Sequence, residues 1–254
     1  MSSACYIGRV SRQPNAPKGR GYRQYCGVAR ALDVVGERWT LLIVRDLLLG
    51  PRRYKDLLEG LPGIGTNLLA DRLRELEQRG LIRRAVLPPP AGSTVYELTE
   101  FGAALGPAVH ELGSWGARML GVVNDDDRVP TAALFVALRV IFKPERATGV
   151  QESYELHVDG HVFEVRVDEG QILTREGLAH APAATFTVDS RTLLALVREG
   201  LDPRAALAAG RIQVEGKIDI LERFVSLFAR PPEAAGEPAY SEPRNGAAEG
   251  MATR

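Results

Sequence analysis

The chain has 254 residues, which is enough for two domains of ordinary size. Its composition is 45% hydrophobic and 25% charged with a formal net charge of zero, as is typical of soluble globular proteins. It contains no apolar run of the roughly 18 to 20 residues that a membrane-spanning helix needs, and its N-terminus lacks the apolar core of a signal peptide. We therefore expect a cytoplasmic protein without a membrane partner. The two cysteines, Cys5 and Cys26, provide no disulfide framework and no CxxC metal pair.

The zero net charge conceals an uneven distribution. Residues 1–24 carry five basic and no acidic side chains, and residues 25–84 carry eleven basic against eight acidic ones. The tail from Pro231 has two basic and four acidic residues. A polyanion is therefore expected to bind the N-terminal third of the chain. The excess is modest, so charge alone does not identify a DNA-binding protein.

The N-terminal segment is rich in proline, glycine and basic side chains, so residues 1–22 are predicted to form a disordered basic arm. This arm either reaches into a DNA minor groove or has no specific role. A short helix from Val28 to Val35 follows. The next helix, from Arg38 to Leu49, is apolar almost all the way round, which predicts the buried spine of the first domain. Trp39 and Tyr54 are interpreted as core aromatic residues.

Residues 53–99 have the pattern of a helix-turn-helix followed by a β-hairpin wing. A helix from Tyr54 to Glu59 and a glycine-containing turn precede a second helix from Thr66 to Arg79. Thr66 and Asn67 are expected to cap that second helix. At about 100° per residue one of its faces is apolar and the opposite one polar. The apolar face comprises Leu69, Leu73 and Leu76, and the polar face comprises Asn67, Asp71, Arg74 and Gln78.

The predicted wing consists of two β segments, Leu81 to Leu87 and Thr94 to Leu98, around a proline-rich loop. Thr99 is then expected to cap a helix that runs to about Leu120 and is kinked by Pro107. The apolar residues of this helix are expected to pack on another helix, that of a second subunit. They are Leu105, Val109, Leu112, Trp115 and Met119.

Several motifs carry a resemblance to a known family: GERWTLLIVRDL, GPRRYKDL, LPGI, LADRLRELE, GLI and YELTEFG, with a cysteine before the first helix. In this order they resemble the HxlR family of bacterial winged-helix transcription regulators. The resemblance implies a homodimer that places two recognition helices in successive major grooves of double-stranded DNA, roughly 34 Å apart. The family often has serine and a basic residue where this chain has Gly65 and Asn67, which implies different base contacts.

The resemblance also suggests roles for individual residues. Thr66, Asn67 and Arg74 are expected to meet bases or nearby phosphates. Arg72 lies beside the buried face and has the alternative of pairing with an acidic neighbour. The residues expected to position the DNA backbone are Arg53, Lys55, Arg72, Arg83 and Arg84. For Arg83 and Arg84, solvated strand arginines without a DNA role are the alternative.

Cys26 precedes the first helix, between Arg23 and Arg30. A helix N-terminus and nearby guanidinium groups both stabilise a thiolate. Some HxlR-type regulators sense electrophiles or oxidants with a cysteine at this place, so we hypothesise a thiol sensor at Cys26. The alternative is a buried free cysteine that serves as a small hydrophobic residue.

A polar linker is predicted at 124–130, which separates a first domain of residues 23–123 from a second of residues 131–230. In the second domain a helix from Thr131 to Phe142 precedes a β-hairpin over residues 154–167. Its turn is Asp159-Gly160, which pairs Leu156 with Phe163 and Tyr154 with Val165 on the apolar face. The other face is expected to carry Glu155, His157, Glu164 and Arg166.

The remaining elements alternate strands and helices. Strands are predicted at 171–175, 184–188 and 212–215, and helices at 190–199, 202–208 and 218–229. Residues 131–229 resemble the sterol-carrier-protein type-2 fold, an α/β domain that encloses an apolar cavity. The resemblance implies an apolar ligand, with plain core packing as the alternative for each lining residue. The candidates are Phe135, Phe163, Phe186, Leu196, Phe224 and Leu227. The tail 231–254 is predicted to be disordered.

Recognisable catalytic signatures are missing, so neither an enzyme nor a cofactor is expected. His157 and His161 are four residues apart, but they flank a hairpin turn without an evident third ligand, so no metal site is predicted. The leading hypothesis is an HxlR-type DNA-binding regulator whose C-terminal domain senses an apolar small molecule. The alternative is a protein that binds lipid or another apolar ligand and uses its winged helix mainly for dimerisation.

Overall fold

The computed structural model of the chain describes residues 21–87, 92–120, 123 and 127–228. Several predicted segments lie outside the described residues: the basic arm up to residue 20, the wing tip at 88–91, residues 124–126 of the linker, and the tail 231–254. The described chain combines helices with two sheets, which confirms the α+β class. Its contacts divide it into a short unit that ends at Arg38 and a larger one that begins at Trp39.

The short unit contains helix α1, Gly27–Val35, as predicted. Asp33 stabilises the turn before it, because its carboxylate accepts hydrogen bonds from Tyr22 N at 3.0 Å and from Arg30 Nη1 at 3.5 Å. Val28 stays 69% exposed, so the outer side of this helix is apolar and uncovered within its own unit.

The larger unit begins with the winged helix. Its elements follow the predicted order: α2 Thr40–Leu47, α3 Tyr54–Gly60, α4 Thr66–Gln78, β1 Ile82–Val86 and β2 Thr94–Leu98. Ile43, Val44 and Leu47 of α2 are at most 3% exposed, which confirms the buried spine. The strands β1 and β2 pair antiparallel and form the base of the wing.

One predicted helix start and one predicted helix cap were wrong. Helix α2 begins at Thr40 instead of Arg38, because Trp39 has a positive φ of 78° that no right-handed helix accommodates. Helix α4 is capped by Gly65, and neither Thr66 nor Asn67 makes a capping bond, because both already lie inside the helix. Trp39 and Tyr54 are half-buried instead of fully in the core.

The kinked helix predicted after Thr99 is two separate helices, α5 Glu100–Ala103 and α6 Gly106–Ala117. Thr99 caps α5, since its Oγ1 accepts a hydrogen bond from Gly102 N at 3.1 Å. Pro107 lies in the first turn of α6. Proline has no N–H to donate and its ring obstructs the preceding turn, so it starts a new helix here instead of bending one.

The C-terminal part is built on a five-stranded sheet with the order β5-β4-β3-β6-β7. Strand β3 pairs parallel with β6, and the other neighbours are antiparallel. The predicted hairpin register is confirmed, because Leu156 faces Phe163 and Tyr154 faces Val165. The strands are β3 Gln151–Val158, β4 His161–Asp168, β5 Gln171–Glu176, β6 Ala184–Val188 and β7 Ile212–Glu215.

The helices of this part cover the sheet and close its core. The predicted helix 190–199 is a short α-helix that continues as a π-helical turn and ends at Gly200, whose φ of 78° lies in the left-handed region. The elements are α7 Thr131–Ile141, a 3₁₀ turn Pro144–Arg146, α8 Ser190–Leu194, the π-helical turn Ala195–Glu199, α9 Pro203–Ala208 and α10 Ile218–Ser226.

Glu164 was predicted on the solvated face of the hairpin, and that prediction was wrong. Its side chain is buried, with 3% of the residue exposed. The carboxylate accepts a hydrogen bond from Ser153 Oγ at 3.0 Å and pairs with Arg175 of β5. The third strand, β5, which hairpin periodicity does not reveal, lies beside β4 and places Arg175 opposite Glu164, where it compensates the buried charge.

Helices α6 and α7 enclose a histidine that should make stability depend on pH. His110 Nε2 is buried without a hydrogen-bond partner among the described residues. Burial, and secondly the charge of Arg139 on α7, lower the pKa of His110. Arg139 is itself fixed by Thr174, to which its Nε and Nη2 donate at 2.8 and 2.6 Å.

The native state therefore binds a proton at His110 less readily than the unfolded chain, whose histidine pKa is about 6.5. The free energy of unfolding is therefore unaffected by the protonation of His110 above that pH, and it decreases as the pH falls below it, because the unfolded chain then gains a proton more readily than the native state. We expect the urea midpoint of the wild type to fall more between about pH 7.5 and about pH 5.5 than that of His110→Gln. Equal decreases in the two proteins would contradict this assignment.

Candidate nucleic-acid interface

The turn between α3 and α4 packs against Trp39, and a hydrogen bond joins the two helices. Gly63 has a positive φ of 90°, and the Trp39 ring lies 3.6 Å from the position of a Cβ on that glycine. Tyr54 Oη donates a hydrogen bond of 2.7 Å to the carbonyl of Thr66, which ties the first turn of α4 to α3. These contacts hold α4 in a defined orientation on the domain.

Helix α4 has the two faces that its periodicity predicts. Leu69, Leu73 and Leu76 are at most 2% exposed and pack on the domain. The opposite side is exposed along the whole helix and forms a surface that we call the reading face. Its residues are Thr66, Asn67, Asp71, Arg74 and Gln78.

The wing starts where α4 ends. Gly80, with a φ of 71°, turns the chain into β1, and Leu81 N donates 3.0 Å to the carbonyl of Leu76. Arg84 of β1 then contacts Glu77 of α4 at 3.5 Å. The base of the wing therefore lies directly beside the C-terminal end of the reading face.

Three of the basic residues predicted to contact DNA, Arg74, Lys55 and Arg83, are exposed, and each has an acidic neighbour. Arg74 Nη1 lies 2.7 Å from Asp71, and Lys55 Nζ lies 3.4 Å from Glu59. On the wing, Arg83 Nε donates 2.6 Å to Glu97. Exposed pairs of this kind contribute little to stability, so phosphates can replace the carboxylates at low cost.

The three other residues predicted to contact DNA differ in how accessible their side chains are. Arg53 is exposed at the N-cap of α3, where its backbone N donates 3.0 Å to Asp56. The guanidinium carbon of Arg84 lies 5.5 Å from the centre of the Tyr96 ring. Arg72 pairs with Glu75 at 2.6 Å and its side chain is only 16% exposed, so it takes the predicted alternative of an acidic neighbour.

Arg52 of the GPRRYKDL motif was not predicted from the sequence to have a functional role. Arg52 is 6% exposed and its backbone pairs with Tyr96 of the wing in both directions. Its guanidinium reaches Glu176 at the end of β5. Only the position after Gly50-Pro51 distinguishes Arg52 from Arg53 in the sequence, and that position does not reveal a partner far along the chain.

The residues predicted to line an apolar pocket lie in the core of the C-terminal part. All six are at most 1% exposed, and the rings of Phe135 and Phe163 stack with centroids 3.7 Å apart. A separate open cleft of about 540 Å³ lies at the π-helical turn, and Leu196 is the predicted residue that lines it. Its other lining residues are Arg146, Val197, Gly200, Leu201, Asp202, Pro203, Val225, Ser226 and Phe228.

The remaining candidate residues are at separate places. Cys26 is exposed at the N-cap of α1, and the Arg30 guanidinium points towards Asp33. His157 and His161 contact different carboxylates, Glu155 at 2.8 Å and Glu176 at 3.2 Å. Across the described ranges, no group of three potential ligands is arranged to hold a metal ion. In the same residues, no helix is both long and apolar enough to span a bilayer.

Comparison with known proteins places two families on the chain. The model described as HxlR-like helix-turn-helix matches residues 34–123, and that of the SCP-2 sterol transfer family matches residues 141–229. The HTH-type transcriptional regulator YodB of Bacillus subtilis is 41% identical over 85 residues, which are 34% of this chain and 76% of YodB.

Two further matches cover a similar share of this chain. The uncharacterized HTH-type transcriptional regulator MT3179 of Mycobacterium tuberculosis is 43% identical over 93 residues, which are 37% of this chain and 58% of that protein. The solved structure of the reduced form of YodB has 38% identity and a TM-score of 0.34, and the match covers 37% of this chain and 94% of that one.

Proposed function

This chain belongs to the HxlR-like helix-turn-helix family, and from that premise we propose that it is a transcription regulator that binds an operator as a homodimer. We further propose that it binds and does not catalyse, and that its C-terminal domain senses an apolar small molecule. It is expected to act in the cytoplasm, where the DNA is.

One observation carries the proposal: the polar face of α4 is exposed along its full length, next to the wing. Asn67 and Arg74 are two turns apart on that face and are the side-chain types that read adenine and guanine edges. In the structure no side-chain hydrogen bond caps the N-terminus of α4, and backbone N–H groups at such a helix start attract phosphate. The arginines of the wing flank the same surface and are positioned for backbone contact.

The dimer part of the proposal rests on apolar surface at the end of α6. Leu112 and Trp115, one turn apart on α6, are 49% and 59% exposed, and Met119 and Leu120 just after the helix are 44% and 61% exposed. The opposite side of α6 packs within the same chain, where the position of a Cβ on Gly113 lies 3.9 Å from Val140 of α7. Contiguous exposed apolar surface of this kind is typical of subunit interfaces.

The sensing part rests on the cleft at the π-helical turn. Apolar side chains such as Leu201 and Phe228 line it, and Asp202 and Arg146 supply the polar rim. π-Helical turns are rare and often occur at functional sites. A ligand there would change DNA binding only if it bound the DNA-competent and the DNA-free conformations with unequal affinity.

Fluorescence anisotropy with a labelled duplex from the region upstream of the chain's own gene tests the proposal. We expect two chains per duplex and an affinity that falls steeply with salt, as counterion release requires. A shuffled duplex of the same length is the control. Equal affinity for the two duplexes would exclude a specific operator in this region.

The alternative function is an apolar-ligand carrier whose winged helix only dimerises. The cleft of about 540 Å³ favours it, since it has the volume of a typical small-molecule site. A carrier would give a dimer with a bound apolar molecule in native mass spectrometry of protein purified without refolding, and no preference between the two duplexes.

Replacing Asp71 with asparagine should tighten DNA binding. The Asp71 carboxylate repels phosphate and neutralises Arg74, and both side chains are about equally exposed, at 60% and 61%. Removing it should raise affinity roughly two- to fivefold at low salt, as the free energies of exposed pairs imply. Asp219→Asn removes a carboxylate from a matched exposed pair with Arg204 and should have no effect. Weaker binding of Asp71→Asn would show that Asp71 itself accepts a hydrogen bond from a base.

A second form of regulation concerns Cys26. The thiol is free and exposed at the N-cap of α1, where reagents in solution can reach it. We propose it as a site at which electrophiles or oxidants change operator affinity. Alkylation of Cys26 that leaves this affinity unchanged would exclude the idea, and Cys26→Ser is the control for modification elsewhere.

A further inference from the structure

Four consecutive residues, Leu49 to Arg52, join the winged helix to the C-terminal sheet. Leu49 is 1% exposed and belongs to the hydrophobic core of the C-terminal part, although it follows α2 of the winged helix. Its carbonyl accepts a hydrogen bond of 2.9 Å from Glu176 N, at the end of β5. Gly50, with a φ of 134°, then directs the chain towards the wing. We call these four residues the junction segment.

Arg52 connects this segment to the wing through its backbone. Arg52 N donates 2.9 Å to the carbonyl of Tyr96, and Tyr96 N donates 2.7 Å to the carbonyl of Arg52. Tyr96 is the central residue of β2 and lies opposite Arg84 of β1. Arg52 therefore forms an isolated antiparallel β-bridge with β2, so that the junction segment and the wing are directly linked.

The side chain of Arg52 connects the same residue to the C-terminal sheet. Its Nη1 pairs with Glu176, whose other carboxylate oxygen lies 3.2 Å from His161 Nδ1 on β4. The Arg52 side chain is 7% exposed and that of Glu176 29%. Breaking a buried pair on one side leaves an uncompensated charge, so such a pair constrains both of its partners.

The remaining surroundings of Arg52 indicate that packing alone does not explain why an arginine is buried at this position. Its Nε and Nη2 have no hydrogen-bond partner within the described part of the chain. Asp46, which is 2% exposed and pairs with Arg45 at 2.8 Å, also lies within electrostatic reach of Arg52. An apolar residue would fill this place without the cost of burying a guanidinium group.

We propose that Arg52 is a positioning residue for the wing, held by Glu176, and that through this pair the C-terminal domain controls DNA binding. The claim that the C-terminal domain controls DNA binding, which we call the regulatory half, rests on the proposed function. The claim that Glu176 holds the wing in place, the mechanical half, does not, because it concerns only whether Glu176 in one part of the chain restrains Tyr96 in the other.

Hydrogen exchange of the full-length protein tests the mechanical half. In Glu176→Gln, the amides of Arg52 and Tyr96 should exchange at least about tenfold faster than in the wild type, since a pair of this burial is costly to break. Exchange at Leu73 in α4 should change by less than about twofold, which distinguishes a released wing from general unfolding.

Glu152→Gln is the matched control, because it removes the Glu152–Arg223 pair, whose Glu152 side chain is 22% exposed and which lies wholly within the C-terminal part. It should leave the exchange at Tyr96 unchanged. Unchanged exchange at Tyr96 in Glu176→Gln, or an equal acceleration in both variants, would overturn the proposal.

The regulatory half is tested separately with the upstream duplex. Glu176→Gln should weaken operator binding by about tenfold, by the same loss of restraint, while Glu152→Gln binds as the wild type. Equal affinity of Glu176→Gln and the wild type would overturn control through this pair. If the wild type itself shows no specific binding, the proposed function fails, and with it the regulatory half, whereas the exchange result still decides whether the wing is held.

Discussion

Replacing Asn67 and Arg74 together with alanine should reduce operator affinity by about 100-fold or more. Both side chains are exposed on the reading face of α4, and each good base contact contributes about 1 to 3 kcal/mol of discrimination. Losing two of them should also remove the preference for the operator over a shuffled duplex. Fluorescence anisotropy with both duplexes at one fixed salt concentration measures this.

The control for this pair is Arg204→Ala. Arg204 pairs with Glu222 at 2.6 Å on the C-terminal part, and its side chain is 62% exposed, so its loss removes a similar charge far along the chain from α4. It should bind the operator as the wild type. If Asn67→Ala/Arg74→Ala bound the operator as tightly as Arg204→Ala, α4 would not be the recognition helix.

Replacing Phe135 with alanine should reduce the free energy of unfolding by about 3 to 5 kcal/mol. The Phe135 ring is fully buried and stacks on Phe163 of β4, which joins α7 to the sheet. The substitution leaves a cavity between helix and sheet that this close-packed core cannot fill without rearrangement. Urea unfolding followed by circular dichroism gives the difference as a shift in midpoint at constant slope.

Leu178→Ala is the control for Phe135→Ala, because Leu178 is 70% exposed and its truncation should change the stability by less than about 0.5 kcal/mol. A small effect of Phe135→Ala would indicate that the space it leaves is already accessible. In that case the space around Phe135 and Phe163, and not the cleft at the π-helical turn, would be the better candidate for the apolar ligand site.

Ion pairs on α3, α4 and β1 explain how the proposed DNA-binding surface coexists with zero net charge. Arg74, Lys55 and Arg83 each lie beside a carboxylate of the same domain. If these residues contact DNA as we propose, their carboxylate partners weaken nonspecific attraction of the free protein to polyanions, and DNA phosphates have to displace those carboxylates. This exchange should favour sites where base contacts add to the phosphate contacts, and so it promotes specificity over affinity.

The elements whose formation depends on neighbours along the chain could be predicted from the sequence. The leucine period of α4 placed Leu69, Leu73 and Leu76 in the core, and the Asp159-Gly160 turn determined the register of β3 and β4. Both are local: a helical face repeats every three to four residues, and a two-residue turn aligns the strands that flank it. The family resemblance rested on motifs built from the same local elements.

Tertiary structure decided what depends on residues far apart in the chain. Buried Glu164 is paired with Arg175, which belongs to a third strand. The ring that stacks on Phe135 is that of Phe163, 28 positions later on β4. Arg52 and Glu176 meet across 124 positions, and no local period relates them. Local periodicity specifies which side of an element is apolar, but only the packed chain determines which charge neutralises a buried guanidinium, because that depends on distances in space and not along the sequence.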